Sequence, residues 1–169
     1  MHNSPVCFLV LLSLLMAQGC GRSHLSSDER RMLIGHEYTH GILKAISSSG
    51  QDPVPEALEY YDFVASTNHP GLYTRTYRPG ASGIVAALFV TNDGILTGST
   101  YVVGYYVVSV KDRRLFVLSS AKGKTAVGEL NVSGGRLNVT NIDEGIRICR
   151  DHFLGASSNS ITVRHLRNL

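Results

Sequence analysis

Two long apolar runs constrain this chain more than any other feature. Ile84 to Thr91 reads IVAALFVT, and Tyr101 to Val110 reads YVVGYYVVSV. Both are rich in β-branched and aromatic residues, which suit the pleated surface of a sheet. The first ends on the turn signal Asn92-Asp93-Gly94, so both are expected to be strands of one sheet. Gly104, inside the second run, predicts a bulge. Leu115 to Ser119 is a third strand, reached through the polar turn Lys111-Asp112-Arg113.

Glu129 to Thr140 reads ELNVSG followed by GRLNVT. With Gly134-Gly135 as a two-residue turn, Val132 would face Leu137, Asn131 would face Asn138 and Leu130 would face Val139. That register sets apolar against apolar and polar against polar, as a half-buried hairpin requires, and a slip of one residue destroys it. A last strand is expected at Ile161 to Leu166, after the loose segment Gly155 to Ser160.

The chain before Leu72 is helical in pattern. Ser26-Ser27-Asp28-Glu29 has the form of a capping box, with Ser26 as N-cap and Glu29 reaching back. A helix is expected from about Ser27 to Ile46, and a second from Pro55 to Ala65. On the second, Val54, Ala57, Leu58, Tyr61 and Ala65 recur at helical spacing as one apolar stripe. Asn68-His69-Pro70-Gly71 ends that region. The expected class is α+β: two N-terminal helices packed on an antiparallel β-sheet, or a small open β-barrel, of about six strands.

The N-terminal segment carries an address. From Val6 to Ala17 the chain reads VCFLVLLSLLMA, with Ser13 its only polar side chain. That run is shorter than the roughly 20 apolar residues a bilayer core demands. It fits the apolar core of a signal peptide, followed by small residues at a cleavage site. Met16-Ala17-Gln18-Gly19-Cys20 resembles the bacterial lipobox, in which a small residue precedes an obligatory cysteine. The resemblance implies a signal peptide over residues 1–19 and a lipid on Cys20, such as palmitate. Residues 20–25 would then be a short tether and residues 26–169 one α+β domain. It also implies export and anchoring in the bacterial cell envelope. Gly21 after the cysteine, in place of Asp, resembles the default for an outer membrane, with the domain facing the periplasm. The other reading is an ordinary secretory signal with Cys20 incidental. Cys7 leaves with the leader, so Cys149 is then either a lone thiol or the partner of an unlipidated Cys20. Free cysteine most often packs as a small hydrophobe.

Charge excludes one class of partner. Sixteen Lys and Arg against 13 Asp and Glu give a formal charge of +3. The basic residues are scattered singly or in pairs such as Arg30-Arg31 and Arg113-Arg114, which is no footprint for nucleic acid. A weak attraction to anionic headgroups is as much as this charge supplies. Tyr60, Tyr61, Tyr73, Tyr77, Tyr101, Tyr105 and Tyr106 could line a ligand surface, although aromatics in strands more often simply pack. Gly123-Lys124-Thr125 has neither the earlier glycine nor the spacing of a phosphate loop.

One motif carries catalytic chemistry. His36-Glu37-Tyr38-Thr39-His40 has the HExxH form, which on a helix sets two imidazoles one turn apart for a single Zn²⁺. The adjacent Glu can then act as general base on a metal-bound water. LIGHEYTHGIL looks like the zinc helix of thermolysin-type and aminopeptidase-type metallopeptidases, the gluzincins. That resemblance implies His36, His40 and Glu59 as ligands, Glu37 as base, and His69 as a secondary candidate near the transition state. Residues 41 to 58 separate motif and Glu59, a spacing found in the aminopeptidase group.

Helical projection points the other way. Glu59 falls roughly 130° from the centre of the apolar stripe of its helix. His36, Glu37 and His40 are expected to lie with Lys44 and Arg30 opposite the apolar arc of Ile34, Tyr38, Ala45, Ile42, Ile46, Met32 and Leu43. With the leader cut before Cys20, only about 15 residues would precede His36. That leaves no chain for the edge strand and backing helix of the peptidases. The leading expectation is therefore a non-enzymatic envelope lipoprotein without a cofactor, a binding or assembly module for an envelope protein or other envelope component. The alternative is a minimal zinc metallopeptidase of HExxH type.

Overall fold

The computed structural model describes residues 25–35, 41, 55–78, 83–92, 101–121, 124–132, 135–156 and 160–166. Cys20 and His36 to His40 lie outside the described residues, as do Val6 to Ala17, Gly134 and the expected helical positions 42–46. The class is α+β with an open antiparallel sheet. In chain order the elements are α1 (Ser27–Ile34), α2 (Pro55–Tyr60), β1 (Val64–Ala65), β2 (Leu72–Tyr77), β3 (Ile84–Asn92) and β4 (Tyr101–Ser109). They continue with β5 (Arg114–Ala121), β6 (Lys124–Val132), β7 (Gly135–Arg136), α3 (Ile142–Phe153) and β8 (Ile161–Leu166). Strands β1 to β6 pair in sequence, and β8 pairs with the far edge of β6. The sheet does not close into a barrel among these elements.

The continuous apolar runs are explained by what covers the sheet. Every side chain from Ile84 to Val90 is buried. Ile84, Ala86, Leu88 and Val90 point to one face, where they pack with Met32 and Leu33 of α1, Leu58 of α2, Phe63, Tyr105, Val107, Phe116, Leu118 and Val127. Ala87 and Phe89 point to the other face, with Leu72, Tyr106, Val108, Leu115, Leu130, Val139 and Cys149 of α3. Side chains alternate across a strand, so a strand between two cores must be apolar at every position rather than at every second one.

The third helix was not expected. Ile146-Arg147-Ile148-Cys149 alternates like a strand, yet Ile142–Phe153 is α-helical. Asn141 caps it by accepting a 2.8 Å hydrogen bond from the Asp143 amide, and Asp143 and Glu144 occupy its first turn. Gly145 and Cys149, one turn apart, are its buried positions. A Cβ at Gly145 would sit 2.5 Å from Val108 Cγ1 and 3.0 Å from Val139 Cγ1, so the glycine lets the helix lie directly on β4.

Helix α2 ends earlier than its apolar stripe. Asp62 adopts φ 62°, the Asp62 amide donates to Glu59 O, and the Phe63 amide donates to Leu58 O at 3.0 Å. That is the Schellman arrangement, completed by the contact between Phe63 and Leu58 in the core. The chain then turns into β1, so Ala65 is an exposed strand residue and not part of the helical stripe.

Two further expectations change. Gly104 is in regular register opposite Phe89, with no bulge. Its Cβ would lie 2.5 Å from the Phe153 ring and 2.8 Å from that of Tyr106, so glycine is needed there for the close approach of α3. The hairpin exists only at its tip, with Val132 opposite Gly135 and Asn131 opposite Arg136. This register is shifted by two residues from the expected one, which keeps each side chain on its face. Asn131 also pairs with Thr162 of β8. Since β5 already occupies the other edge of β6 from Lys124 up to Glu129, the return arm leaves the sheet after Arg136. Leu137 and Val139 enter the α3-side core instead.

Gly104→Ala should therefore destabilise the fold by about 1–3 kcal/mol, the usual cost of overpacking. Urea unfolding of the two proteins measures it; an unchanged midpoint would mean that Phe153 does not press on this strand.

Candidate functional site

The buried charges of the described residues gather beneath α1. Ser26 caps α1: its Oγ accepts from the Glu29 amide at 3.2 Å, and Glu29 Oε2 accepts from the Ser26 amide at 2.9 Å. The capping box read from the sequence is thus present, but its carboxylate does more. Glu29 is fully buried, and the same Oε2 accepts from Arg114 Nη1 at 3.3 Å. Arg114 Nε donates to Glu129 Oε1 at 2.9 Å, and Arg164 Nη2 donates to Glu129 Oε2.

Two carboxylates and two guanidiniums thus join α1, β5, β6 and β8. Arg114 also lies over the Phe116 ring, 4.7 Å from its centroid. Arg114, Phe116, Glu129 and Arg164 share one face because Phe116 pairs with Glu129 and Glu129 with Arg164. Tyr105 adds a neutral tie, donating from its hydroxyl to Met32 O at 2.7 Å. Burial, with Tyr77 as a lesser influence, pushes the Tyr105 phenol up to about 12, so it remains a donor at any ordinary pH.

On the other face, the Tyr106 hydroxyl lies 2.9 Å from His152 Nδ1, and Phe89 stacks against Phe153 with ring centroids 5.6 Å apart. Cys149 is a wholly buried free thiol. Burial pushes its pKa far up, which keeps it protonated and a poor nucleophile. Burial, then the nearby Cys149, also raises Tyr106. Burial lowers His152, so its neutral imidazole is favoured. These three residues hold α3 on the sheet; they do not make a reactive dyad.

Of the residues singled out in the sequence, Cys20, His36, Glu37 and His40 lie outside the described residues. Glu59 is on α2 and exposed, whereas its neighbour Leu58 is buried. His69 belongs to the turn before β2, its amide donating to Ser66 Oγ at 3.2 Å. The tyrosines divide: Tyr105 and Tyr106 are buried, Tyr61 and Tyr73 half-buried, and Tyr60 and Tyr77 exposed, while the side chain of Tyr101 lies outside those described. Among the described residues no group of three His, Cys, Asp or Glu could hold a metal ion, and no helix is long and apolar enough to cross a membrane. Sequence reasoning missed Arg114 and Glu129. Their only signal is a charge at the start of each of two expected strands, Arg114 directly before Leu115 and Glu129 at the head of ELNV.

Compared with protein-family models, with curated proteins and with solved structures, the chain has no match in any of the three.

Two outcomes follow. Glu129→Ala strips Arg114 of its closest carboxylate, and breaking a buried pair on one side costs about 3–5 kcal/mol; Arg147→Ala, at an exposed pair, should cost about 0–1 kcal/mol. Urea melts compare them, and equal losses would contradict a buried Arg114–Glu129 pair that holds the fold together.

The second outcome concerns acid. Burial alone would raise the Glu129 carboxyl, but hydrogen bonds and charge from Arg114 and Arg164 outweigh it and the net shift is downward. Its stabilisation is present above the unfolded value near 4.5 and is lost as pH falls through the lower folded value. His152 acts earlier: the unfolded chain takes up its proton near pH 6.5 and the folded one resists, so stability falls as pH drops below about 6.5. His152→Gln should flatten the loss between about pH 6.5 and 5. An unchanged slope in chemical denaturation would contradict this.

Proposed function

We propose that the chain is a non-enzymatic lipoprotein of the bacterial cell envelope. It is exported, cut before Cys20 and held to a membrane by lipid on that cysteine, with an outer membrane facing the periplasm as its location. The sheet domain then acts as a binding or assembly module for another envelope protein. The observation that carries this reading is the apolar run Val6 to Ala17 closing on Ala17-Gln18-Gly19-Cys20. Two features of the domain support it. The reactive side chains Cys149, Tyr105, Tyr106, Glu29 and Glu129 are buried in packing or ion pairs, as suits a scaffold. Large apolar side chains stand out at the end of α2 and on β1 and β2, where Tyr60 is 81% and Val64 69% exposed; a partner protein would bury them.

The zinc-peptidase alternative needs α1 to continue as one helix through His36 and His40 to Ile46, and it needs Glu59 to turn towards them. The exposed position of Glu59 favours the scaffold reading.

Cys20→Ser should move the protein from the membrane to the soluble fraction, and the membrane-bound wild type should carry a diacylglyceryl mass on its Cys20 peptide. Unchanged membrane retention of the variant would contradict the anchor. Metal analysis of the full chain separates the alternative. Stoichiometric zinc that disappears in His40→Ala would overturn the scaffold reading, and its absence at micromolar zinc supply is the expected result.

A further inference from the structure

Helix α1 divides its chemistry between two faces. Glu29, Met32 and Leu33 are buried against the sheet. Ser27, Arg30, Arg31 and Ile34 are exposed, at the i, i+3, i+4, i+7 spacing of a single stripe. This corrects the helical projection that set Ile34 on an apolar arc opposite Arg30. The stripe lines an open depression of about 450 Å³, with half-buried Leu25 at its N-terminal end. Two guanidiniums thus flank an isoleucine that is 54% exposed. The acidic residues of the helix are elsewhere: Asp28 is half-buried on the flank, and Glu29 is turned inward onto Arg114.

We propose that this stripe is a membrane-docking surface, with Arg30 and Arg31 on the phosphates of anionic phospholipid headgroups and Leu25 and Ile34 in the apolar boundary beneath them. The inference rests on the Cys20 anchor proposed above. Residues 21–25 are the only chain between that cysteine and the Ser26 cap, and fully extended they reach no more than about 18 Å. The anchor therefore holds α1 at the bilayer, where a high effective concentration makes individually weak contacts persist. Each basic residue near an anionic surface strengthens attachment about fivefold, and the planar fork of arginine matches phosphate oxygens. A protein partner on this stripe is less well supported, because the tether already brings a lipid surface to it. Docking has a consequence for the domain. Arg114 and Tyr105 tie α1 to the sheet, so seating the stripe orients the whole sheet and turns α3, on the opposite face, towards water.

The test uses the full lipidated chain, extracted in nonionic detergent and reconstituted into vesicles. One set is phosphatidylcholine and the other contains about 30% phosphatidylglycerol. Phenylglyoxal labels accessible guanidiniums, and peptide mass spectrometry gives the labelling of Arg30 and Arg31 relative to Arg147. Arg147 is the reference because it is exposed on α3, on the far side of the sheet. In anionic vesicles the ratio should fall by about fivefold or more relative to detergent, and recover at about 0.5 M salt. A ratio unchanged in anionic vesicles overturns the proposal. So does an equal fall in pure phosphatidylcholine, which would mean that headgroup charge is not recognised. A fall in detergent on adding inorganic phosphate alone would also overturn it, in favour of a free-anion site. Failure of the anchor itself is read separately: a Cys20 peptide without lipid mass removes the lipoprotein reading, whereas lipid present with unprotected arginines removes only the docking surface.

Discussion

Arg114 is the point on which this architecture turns. It opens β5, it is only 7% exposed, and its guanidinium meets Glu29 from the helix above and Glu129 from the strand beside it. A buried guanidinium is costly unless it is matched, so the positions of both carboxylates are tightly constrained. Glu29 serves twice, as the N3 residue of the capping box and as a counter-charge. Helix formation at Ser26 and docking of that helix are therefore one event. An ion cluster of this kind adds less to stability than an apolar core of equal volume. Its value is positional, because the observed seating of α1 is the one that brings Glu29 onto Arg114.

The second constraint is that β3 and β4 are apolar on both sides. A sheet with two such central strands needs a cover on each face. α1 and α2 supply one and α3 the other, with Leu137 and Val139 helping to fill the α3 side. The glycines follow from the same demand: Gly104 and Gly145 stand where α3 comes closest to β4, and neither has room for a Cβ.

The strands were legible because their signal is local. Ile161 to Leu166 was read to the residue, and β3 and β4 to within one residue at an end. The capping box at Ser26 was legible for the same reason. What could not be read was set by distant parts of the chain. The register of the Val132–Gly135 hairpin depends on which edges of β6 are taken by β5 and β8. The end of α2 depends on Asp62 accepting a left-handed conformation that glycine usually fills. α3 was hidden because Ile146 to Cys149 alternates over a stretch too short to separate the two periods. The wider spacing of Ile142, Ile146, Cys149 and Phe153, with Asn141 before it, carries the helical signal. The ion cluster was the least legible, since Glu29 and Arg114 are 85 residues apart.

The functional reading joins these elements to the N-terminal address. A lipid on Cys20 would place α1 beside the bilayer, and the Arg114 cluster would make the helix a rigid part of the domain rather than a trailing segment. Everything proposed about orientation depends on that rigidity. Native-state hydrogen exchange measures it most directly, by comparing the amides of Arg30 and Gly35, which donate to Ser26 O and Arg31 O, with those at the centre of β3 and β4. The account predicts that the α1 amides exchange only through the same opening that unfolds the central strands, with the same dependence on denaturant. Exchange of α1 at a much lower free energy, while β3 and β4 stay protected, would show a helix that frays independently and would contradict it.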